Sequence, residues 1–375
     1  MIKVMNIISD SNIGGAGRVL INYMKYCDRE HFDVSVALPA GSELIAPLKA
    51  LGTRTVELHG IAEKSLSLGA LNELKKVIRA EMPDIVHTHG SMAGRIAARQ
   101  CGTAVIYTRH SAFPVPNYMK KGPGRLLNKL VNEHYADRII AVSPAAAENL
   151  TDGGISEKLI DIILNGIEPV ERPAPEVIAQ MRRKCAISDG DFTAGIIARI
   201  EDYKGHADIL KAVKKLRGGG RSIKLIVAGT GGYESEIKRL ADELNLGDSV
   251  VFLGFVSDVA PVLGVLDVQL NASWGTEATS LSLLEGFSMG VPAIVSDYGG
   301  NPYLVDDGQN GFIFKARDAD MLADRLMAVM DDRALLASMG EKARGVYLER
   351  FTGESFAAGV EAVYYKTLEE KKHGK

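Results

Sequence analysis

The sequence predicts an α/β chain made of two doubly wound units, each with a parallel sheet. Three observations predict it. Short apolar runs bounded by turn residues recur along the whole chain, with helical patterns between most of them. Those runs are apolar throughout instead of alternating, as strands covered on both faces require. The rhythm breaks once, at the charged, proline-rich Glu168-Pro-Val-Glu-Arg-Pro-Ala-Pro-Glu, and then resumes. That break reads as a linker.

In the first half, strands are expected at 3–8, 33–38, 54–58, 84–87, 104–108, 138–142 and 159–164. Helical patterns between them include 17–26, 71–81 and 125–135. In the second half, strands are expected at 193–199, 224–228, 250–253, 267–271, 293–296 and 311–314. Helices are expected at 207–216, 233–244, 281–288 and 318–330, with an amphipathic helix at 354–371. The domain reading is 1–168 together with the terminal helix 354–375, then 169–353. Sheets of this kind bind ligands beyond the carboxyl ends of their strands, and a cleft between two such units is the default site.

The chain has 375 residues, 46% of them hydrophobic, enough for two proper cores. Its 39 glycines exceed the usual share of about 7%, and the excess falls in turns after strand-like runs. A net charge of −3 gives no bulk basic character, so nucleic acid is not an expected partner. Cys27, Cys101 and Cys185 lie far apart and form no metal or disulfide pattern. The opening MIKVMNIIS is too short for a signal peptide, and Asp10 interrupts it. No apolar run approaches the roughly 20 residues that span a bilayer. The expected location is the cytoplasm, with contact at a membrane surface as a further expectation.

The segment Ser273–Gly300 carries the most chemistry. Glu277 lies in a Gly/Thr/Ser loop, and Glu285 lies in the apolar helical run LSLLEGFSM, about two turns further on. A helix start offers free N–H groups and a positive dipole, which suit phosphate. Carboxylates accept several hydrogen bonds and suit sugar hydroxyls. Phosphate flanked by hydroxyls describes a nucleotide-sugar. The alternative is a turn followed by a buried helix with a solvated Glu.

Asn12-Ile13-Gly14-Gly15-Ala16-Gly17-Arg18 joins the first strand to the first helix, where glycines let backbone approach a phosphate. A dinucleotide site would want an acid at the end of the second strand. That strand ends Val36-Ala37-Leu38-Pro39-Ala40, which disfavours NAD. Arg199 and Lys204 flank the first turn of the second unit, a forked cation and a mobile one suited to a diphosphate. In both places an ordinary surface turn is the alternative. His87-Thr88-His89 could ligate a metal, but no third ligand is evident, so no metal is expected. His87 reads as a satisfied core residue, and one histidine at the mouth of the cleft is expected to meet a sugar or relay a proton. Asp189-Gly190-Asp191 reads as a turn.

Residues 118–131 interleave Lys120, Lys121, Arg125 and Lys129 with Leu126, Leu127, Leu130 and Val131. Between Arg95 and Arg138 there are eight Lys/Arg against two acids, Glu133 and Asp137. Such a segment can touch anionic lipid or an acidic acceptor. The preferred expectation is a solvated helix whose apolar side packs on its own domain.

Taken in order, Gly-Gly-x-Gly-Arg, His-x-His-Gly, Thr-Arg-His, Asn-Gly-Ile-Glu, Arg-x4-Lys-Gly, Gly-x-Gly and Glu-x7-Glu resemble the family four retaining glycosyltransferases of GT-B fold, over nearly the whole chain. The resemblance implies two Rossmann-like domains facing across a cleft, with the last helix crossing back to the first. It implies a nucleotide-sugar donor, most often a UDP-sugar, and a sugar or lipid-linked acceptor, with no metal or other cofactor. It assigns donor-sugar hydroxyls to Glu277, the ribose to Glu285 and the diphosphate to Arg199 and Lys204. Backbone at Thr279, Ser280 and Leu281 would meet sugar and phosphate. Gly14 and Gly15 would approach the diphosphate from the other domain, and His110 would reach the donor sugar. Gly229 and Gly231 would line the nucleotide, and the loop carrying Val256 would flank the base. The chain departs from the family at Glu277-Ala278-Thr279, where Glu-Gly-Phe is common, and at Tyr303, where an acid is frequent. A nucleotide-sugar epimerase of the same architecture, a non-catalytic nucleotide-sugar binder and a dehydrogenase are the rival readings.

Overall fold

The computed structural model describes residues 1–61 and 68–374. The chain forms two compact units, Met1–Glu168 with Phe351–Lys375, and Pro169–Arg350.

The first unit holds strands β1 (Ile2–Ile8), β2 (Phe32–Pro39), β3 (Arg54–Leu58), β4 (Ile85–His89), β5 (Ala104–Arg109), β6 (Arg138–Ala141) and β7 (Ile160–Ile162). They form one seven-stranded sheet in the order β3-β2-β1-β4-β5-β6-β7, with every neighbouring pair parallel. Met5, Ile7, Val86 and Val105 belong to a core cluster on this sheet. The helix Gly15–Tyr26 buries Val19, Leu20, Tyr23 and Met24, spaced for one helical face. The terminal helix Gly353–Lys372 is capped by the Thr352 hydroxyl, which accepts from the Ser355 N–H. It buries Phe356, Val360, Val363, Tyr364 and Thr367 and packs on Gly15–Tyr26. Burial of each large apolar side chain contributes about 1.5–3 kcal/mol, so this stripe fastens the chain's end to the first unit.

The second unit holds β8 (Phe192–Ile197), β9 (Ile223–Ala228), β10 (Val250–Gly254), β11 (Val268–Asn271), β12 (Ala293–Ser296) and β13 (Gly311–Phe314), in the order β10-β9-β8-β11-β12-β13. These pairs are also parallel. Both sheets reverse their direction of winding beside their first strand, at β1/β4 and at β8/β11.

Several expectations need correction. β4 runs on to His89 because that residue still pairs with Ile8 of β1 and Thr108 of β5. β8 stops at Ile197, so Arg199 lies in the following loop. There Ala198 and Ile200 donate to the carbonyls of Ala228 and Thr230 instead of continuing the ladder. The linker is shorter than expected, since a helix starts inside it at Pro175 and runs to Lys184. Proline's fixed φ and missing N–H suit a first helical position. The sequence reading passed over the helices Met92–Gln100, Pro144–Asp152 and Arg333–Arg350. The first two are capped by Ser91 and Ser143.

The basic segment is the largest correction. Helix Gly122–His134 buries no residue, and Leu126, Leu127 and Leu130 are 56%, 63% and 55% exposed. The helix docks through its polar side instead. Asn128 donates to the Gly153 carbonyl, Arg125 reaches the carbonyls of Thr151 and Asp152, and Asn132 accepts from Arg95. The leucines therefore face outward, contrary to the packed helix expected. Among the described residues, no helix is long and apolar enough to cross a membrane.

Candidate active site

The loops that leave β8 and β11 lie at the carboxyl edge of the second sheet, at the point where its winding reverses and where doubly wound sheets bind ligands. The β8 loop carries Arg199 and Lys204. The β11 loop carries Glu277 and leads into the helix Leu281–Ser288. The two loops are tied together, since the Trp274 N–H donates to the Tyr203 carbonyl at 2.8 Å.

Lys204 and Glu277 meet directly. The Lys204 ammonium lies 2.8 Å from Glu277 Oε2, and the same oxygen accepts from Asn271 Nδ2 at 3.0 Å. Ser273 Oγ lies 3.1 Å from it and shares its one hydrogen with Asn271 Oδ1 at 2.7 Å. Glu277 is 7% exposed. These contacts fix the carboxylate and leave Oε1 outside this network. A buried charge held in this way needs both its counter-ion and its hydrogen bonds. Arg199 is exposed, with one nitrogen 3.4 Å from the Tyr203 hydroxyl.

The helix Leu281–Ser288 starts after Ser280, whose hydroxyl lies 3.1 Å from that of Ser282 and does not cap the helix. Ser280 supplies no cap, and the N–H groups of a helix start are the kind of donor that an anion satisfies. Glu285 is buried at the fifth helical position, so it lies one turn in and not two as expected.

Glycines separate into two kinds here. A Cβ on Gly229, whose φ is +145°, would stand 1.9 Å from the Ala198 carbonyl oxygen, and one on Gly231 would stand 2.2 Å from that of Ile200. Packing of the β9 loop on the β8 loop therefore demands both. In the first unit, a Cβ on Gly15 would meet nothing within 4 Å, and one on Gly14 only side-chain oxygens at 3.9 Å. Gly14 has φ −83°, open to any residue. The fold of the first unit does not require glycine at either position. Val256 is half-buried against the core of the second unit, while Phe255 beside it is 77% exposed.

His110 follows β5. Its Nε2 lies 2.8 Å from His89 Nδ1, and burial pulls its pKa down to about 4. His87 is a core residue, bonded to the Tyr364 hydroxyl at 2.8 Å and the Thr108 hydroxyl at 2.6 Å. Burial brings its pKa to about 3, and His89 is lowered for the same reason. All three rings are neutral at pH 7. The Asp189–Asp191 segment is a turn, with Asp191 accepting from the Ser188 N–H at 2.7 Å.

Within the second unit the fold thus gathers Arg199, Lys204, Glu277, Thr279, Ser280, Leu281 and Glu285 on the two loops at the reversal point and the helix start. Gly229 and Gly231 sit in the adjoining loop. Sequence reasoning missed Asn271 and Ser273, which hold Glu277, and Asn6, and it weighed His89 as a metal ligand and not as the partner of His110. A polar Asn-Ala-Ser closing the buried strand β11 was the available signal for the first pair.

The chain is similar to known proteins over both units. Residues 177–346 match the family described as "Glycosyl transferases group 1", and residues 13–171 match "Glycosyltransferase Family 4". The "Putative glycosyltransferase EpsD" of Bacillus subtilis is 30% identical over 293 residues, covering 74% of this chain and 75% of that protein. The UDP-Gal:alpha-D-GlcNAc-diphosphoundecaprenol alpha-1,3-galactosyltransferase of Escherichia coli is 25% identical over 358 residues, 89% of each chain. Among solved structures, Anabaena HepE in complex with UDP superposes with a TM-score of 0.84 at 21% identity, over 97% of this chain and 100% of that one.

Proposed function

This chain belongs to glycosyltransferase family 4, among the group 1 glycosyl transferases, and we propose that it moves a sugar from a UDP-sugar to a glycan or lipid-linked acceptor of cell-surface polysaccharide. In this reading the reaction retains the anomeric configuration and uses no metal. The observation that carries it is the Lys204–Glu277 pair, set at the sheet's reversal point beside the start of the helix Leu281–Ser288.

The bond to break joins an anomeric carbon to a diphosphate oxygen. Negative charge grows on the diphosphate as the sugar becomes cation-like. Lys204, Arg199 and the helix start at Thr279, Ser280 and Leu281 supply preorganised positive charge there. Glu277 holds Lys204 through Oε2 and offers Oε1 to a sugar hydroxyl. Glu285 takes the ribose, Gly229 and Gly231 line the nucleotide, and Val256 flanks the base. The family resemblance also assigns Gly14 and Gly15 to the diphosphate and His110 to the donor sugar. Glu277 Oε2 is engaged by Lys204 and Asn271, which weakens it as a covalent nucleophile. Retention then follows from acceptor attack on the face that the diphosphate leaves.

The donor reading draws on the E. coli relative, named for UDP-Gal, and the acceptor reading on its diphosphoundecaprenol substrate. The outward leucines of Gly122–His134, with Lys120, Lys121, Arg125 and Lys129 nearby, fit the surface of an anionic membrane that would carry such an acceptor. The test is transfer from labelled UDP-sugars to a panel of lipid-diphosphate acceptors, with and without EDTA. Turnover that persists in EDTA is expected. Loss in EDTA restored only by a divalent ion contradicts the metal-free scheme, and GDP- or ADP-sugars as sole donors contradict the UDP assignment.

A further inference from the structure

We infer that Asn6 and His89 are positioning residues that hold His110 as its Nε2–H tautomer, so that Nδ1 presents a bare lone pair to the donor sugar. The inference rests on the reading that His110 meets the donor, and it deepens that reading.

The register of the first sheet puts these groups in a row. Asn6 lies on β1, His89 ends β4 beside it, and His110 follows β5 on the far side of β4. Asn6 Oδ1 lies 2.9 Å from His89 Nε2, and His89 Nδ1 lies 2.8 Å from His110 Nε2. The two histidine rings are 5.1 Å apart with planes 25° from parallel, so they meet through their nitrogens.

With the Asn6 amide turned so that its oxygen meets His89, and with both rings neutral, the proton positions follow from valence. An amide oxygen only accepts, so His89 Nε2 must carry the hydrogen. A neutral imidazole carries one, so His89 Nδ1 is bare and accepts. His110 Nε2 must therefore donate to it, and His110 Nδ1 is left bare in turn. That nitrogen is buried with no hydrogen-bond partner among the described residues. A buried acceptor without a donor is costly and rare. His87 does not compete for His89, because Tyr364 and Thr108 occupy both its nitrogens.

The consequence is a choice of ligand. A bare Nδ1 accepts from a sugar hydroxyl. It repels a carboxylate, whose oxygens only accept, and gains nothing from a deoxy carbon. His110 thus favours a neutral, hydroxylated donor sugar over a uronic acid or a deoxy sugar at the position it meets. His89 and Asn6 set that preference without touching the sugar.

The experiment is a long-range proton–nitrogen correlation spectrum of the full-length, histidine-labelled protein at neutral pH, with His110 assigned by its loss in His110→Gln. A protonated Nε2 and a pyridine-type Nδ1 on His110 are expected. A protonated Nδ1 in the wild-type protein overturns the inference. His89→Phe removes the acceptor, and a mixed His110 tautomer is expected, with kcat/KM for the donor falling roughly tenfold or more. Asn6→Asp keeps an acceptor for His89 and should retain the wild-type tautomer, whereas Asn6→Leu should lose it. A wild-type tautomer in His89→Phe also overturns the inference. If the predicted tautomer is found but no nucleotide-sugar supports transfer, the proposed function fails and the positioning stands. If transfer proceeds with Nδ1 protonated, only the positioning fails.

Discussion

A glycine is informative only when the space around it is known. Gly229 and Gly231 read in the sequence as ligand-lining residues, yet in the fold each is demanded by a carbonyl at about 2 Å from the missing Cβ, 1.9 Å and 2.2 Å. Gly14 and Gly15 read as the same kind of residue, and nothing in their own unit requires them. Gly229→Ala should therefore destabilise the protein by more than about 2 kcal/mol, through a clash and an unfavourable φ. Gly15→Ala should leave thermal unfolding unchanged and weaken UDP-sugar binding. Differential scanning calorimetry and a binding titration on both variants check this, and a destabilised Gly15→Ala with normal binding would reverse the assignment. At this scale the sequence displayed Lys204 and Glu277 but not their contact. They stand 73 positions apart, and only the parallel pairing of β8 with β11 brings their loops together. Asn271 and Ser273 escaped notice because polar residues closing a strand look like ordinary loop residues.

Elements were more legible than residues. Strands Arg54–Leu58, Ala293–Ser296 and Gly311–Phe314 and helix Leu281–Ser288 lie where apolar runs between turn residues put them. Pro175–Lys184 and Arg333–Arg350 were missed, the first because its opening prolines read as linker. Helix Gly122–His134 misled for a different reason. Periodicity reports which side is apolar, not which side is buried, and here hydrogen bonds from Arg95, Arg125 and Asn128 anchor the polar side. The exposed leucines lead to a prediction. Full-length protein should sediment with vesicles containing phosphatidylglycerol and not with pure phosphatidylcholine. Leu126→Asp with Leu130→Asp should abolish sedimentation while leaving the melting temperature within a few degrees, because those side chains contact little of the fold. Binding unaffected by the double substitution would remove this helix from any membrane contact.

Across the whole molecule, stability should depend on pH through buried neutral histidines. His87, His89 and His110 lie in the first unit and His206 in the second. Burial holds His87 to about 3 and His110 and His206 to about 4. The unfolded chain takes up these protons from about pH 6.5 downward. The unfolded state then binds more protons than the folded one, so stability is full above pH 6.5 and falls toward pH 4. His87, His110 and His206 each contribute on the order of 3 kcal/mol across that window, and His89 acts in the same direction. With three rings against one, the first unit should loosen at higher pH than the second. Hydrogen exchange across the first unit, set against the fluorescence of Trp274 in the second, reads the difference. Stability that stays flat from pH 7 to pH 4 would contradict it. The claim on which the functional account turns is that the Lys204 site binds the donor's diphosphate. Calorimetric titration of UDP into the wild-type protein and the Lys204→Met, Glu277→Gln double variant, which removes both charges at nearly constant shape, tests it most directly. The account predicts at least a tenfold loss of affinity with the melting temperature nearly unchanged, and equal affinity in the two proteins would contradict it.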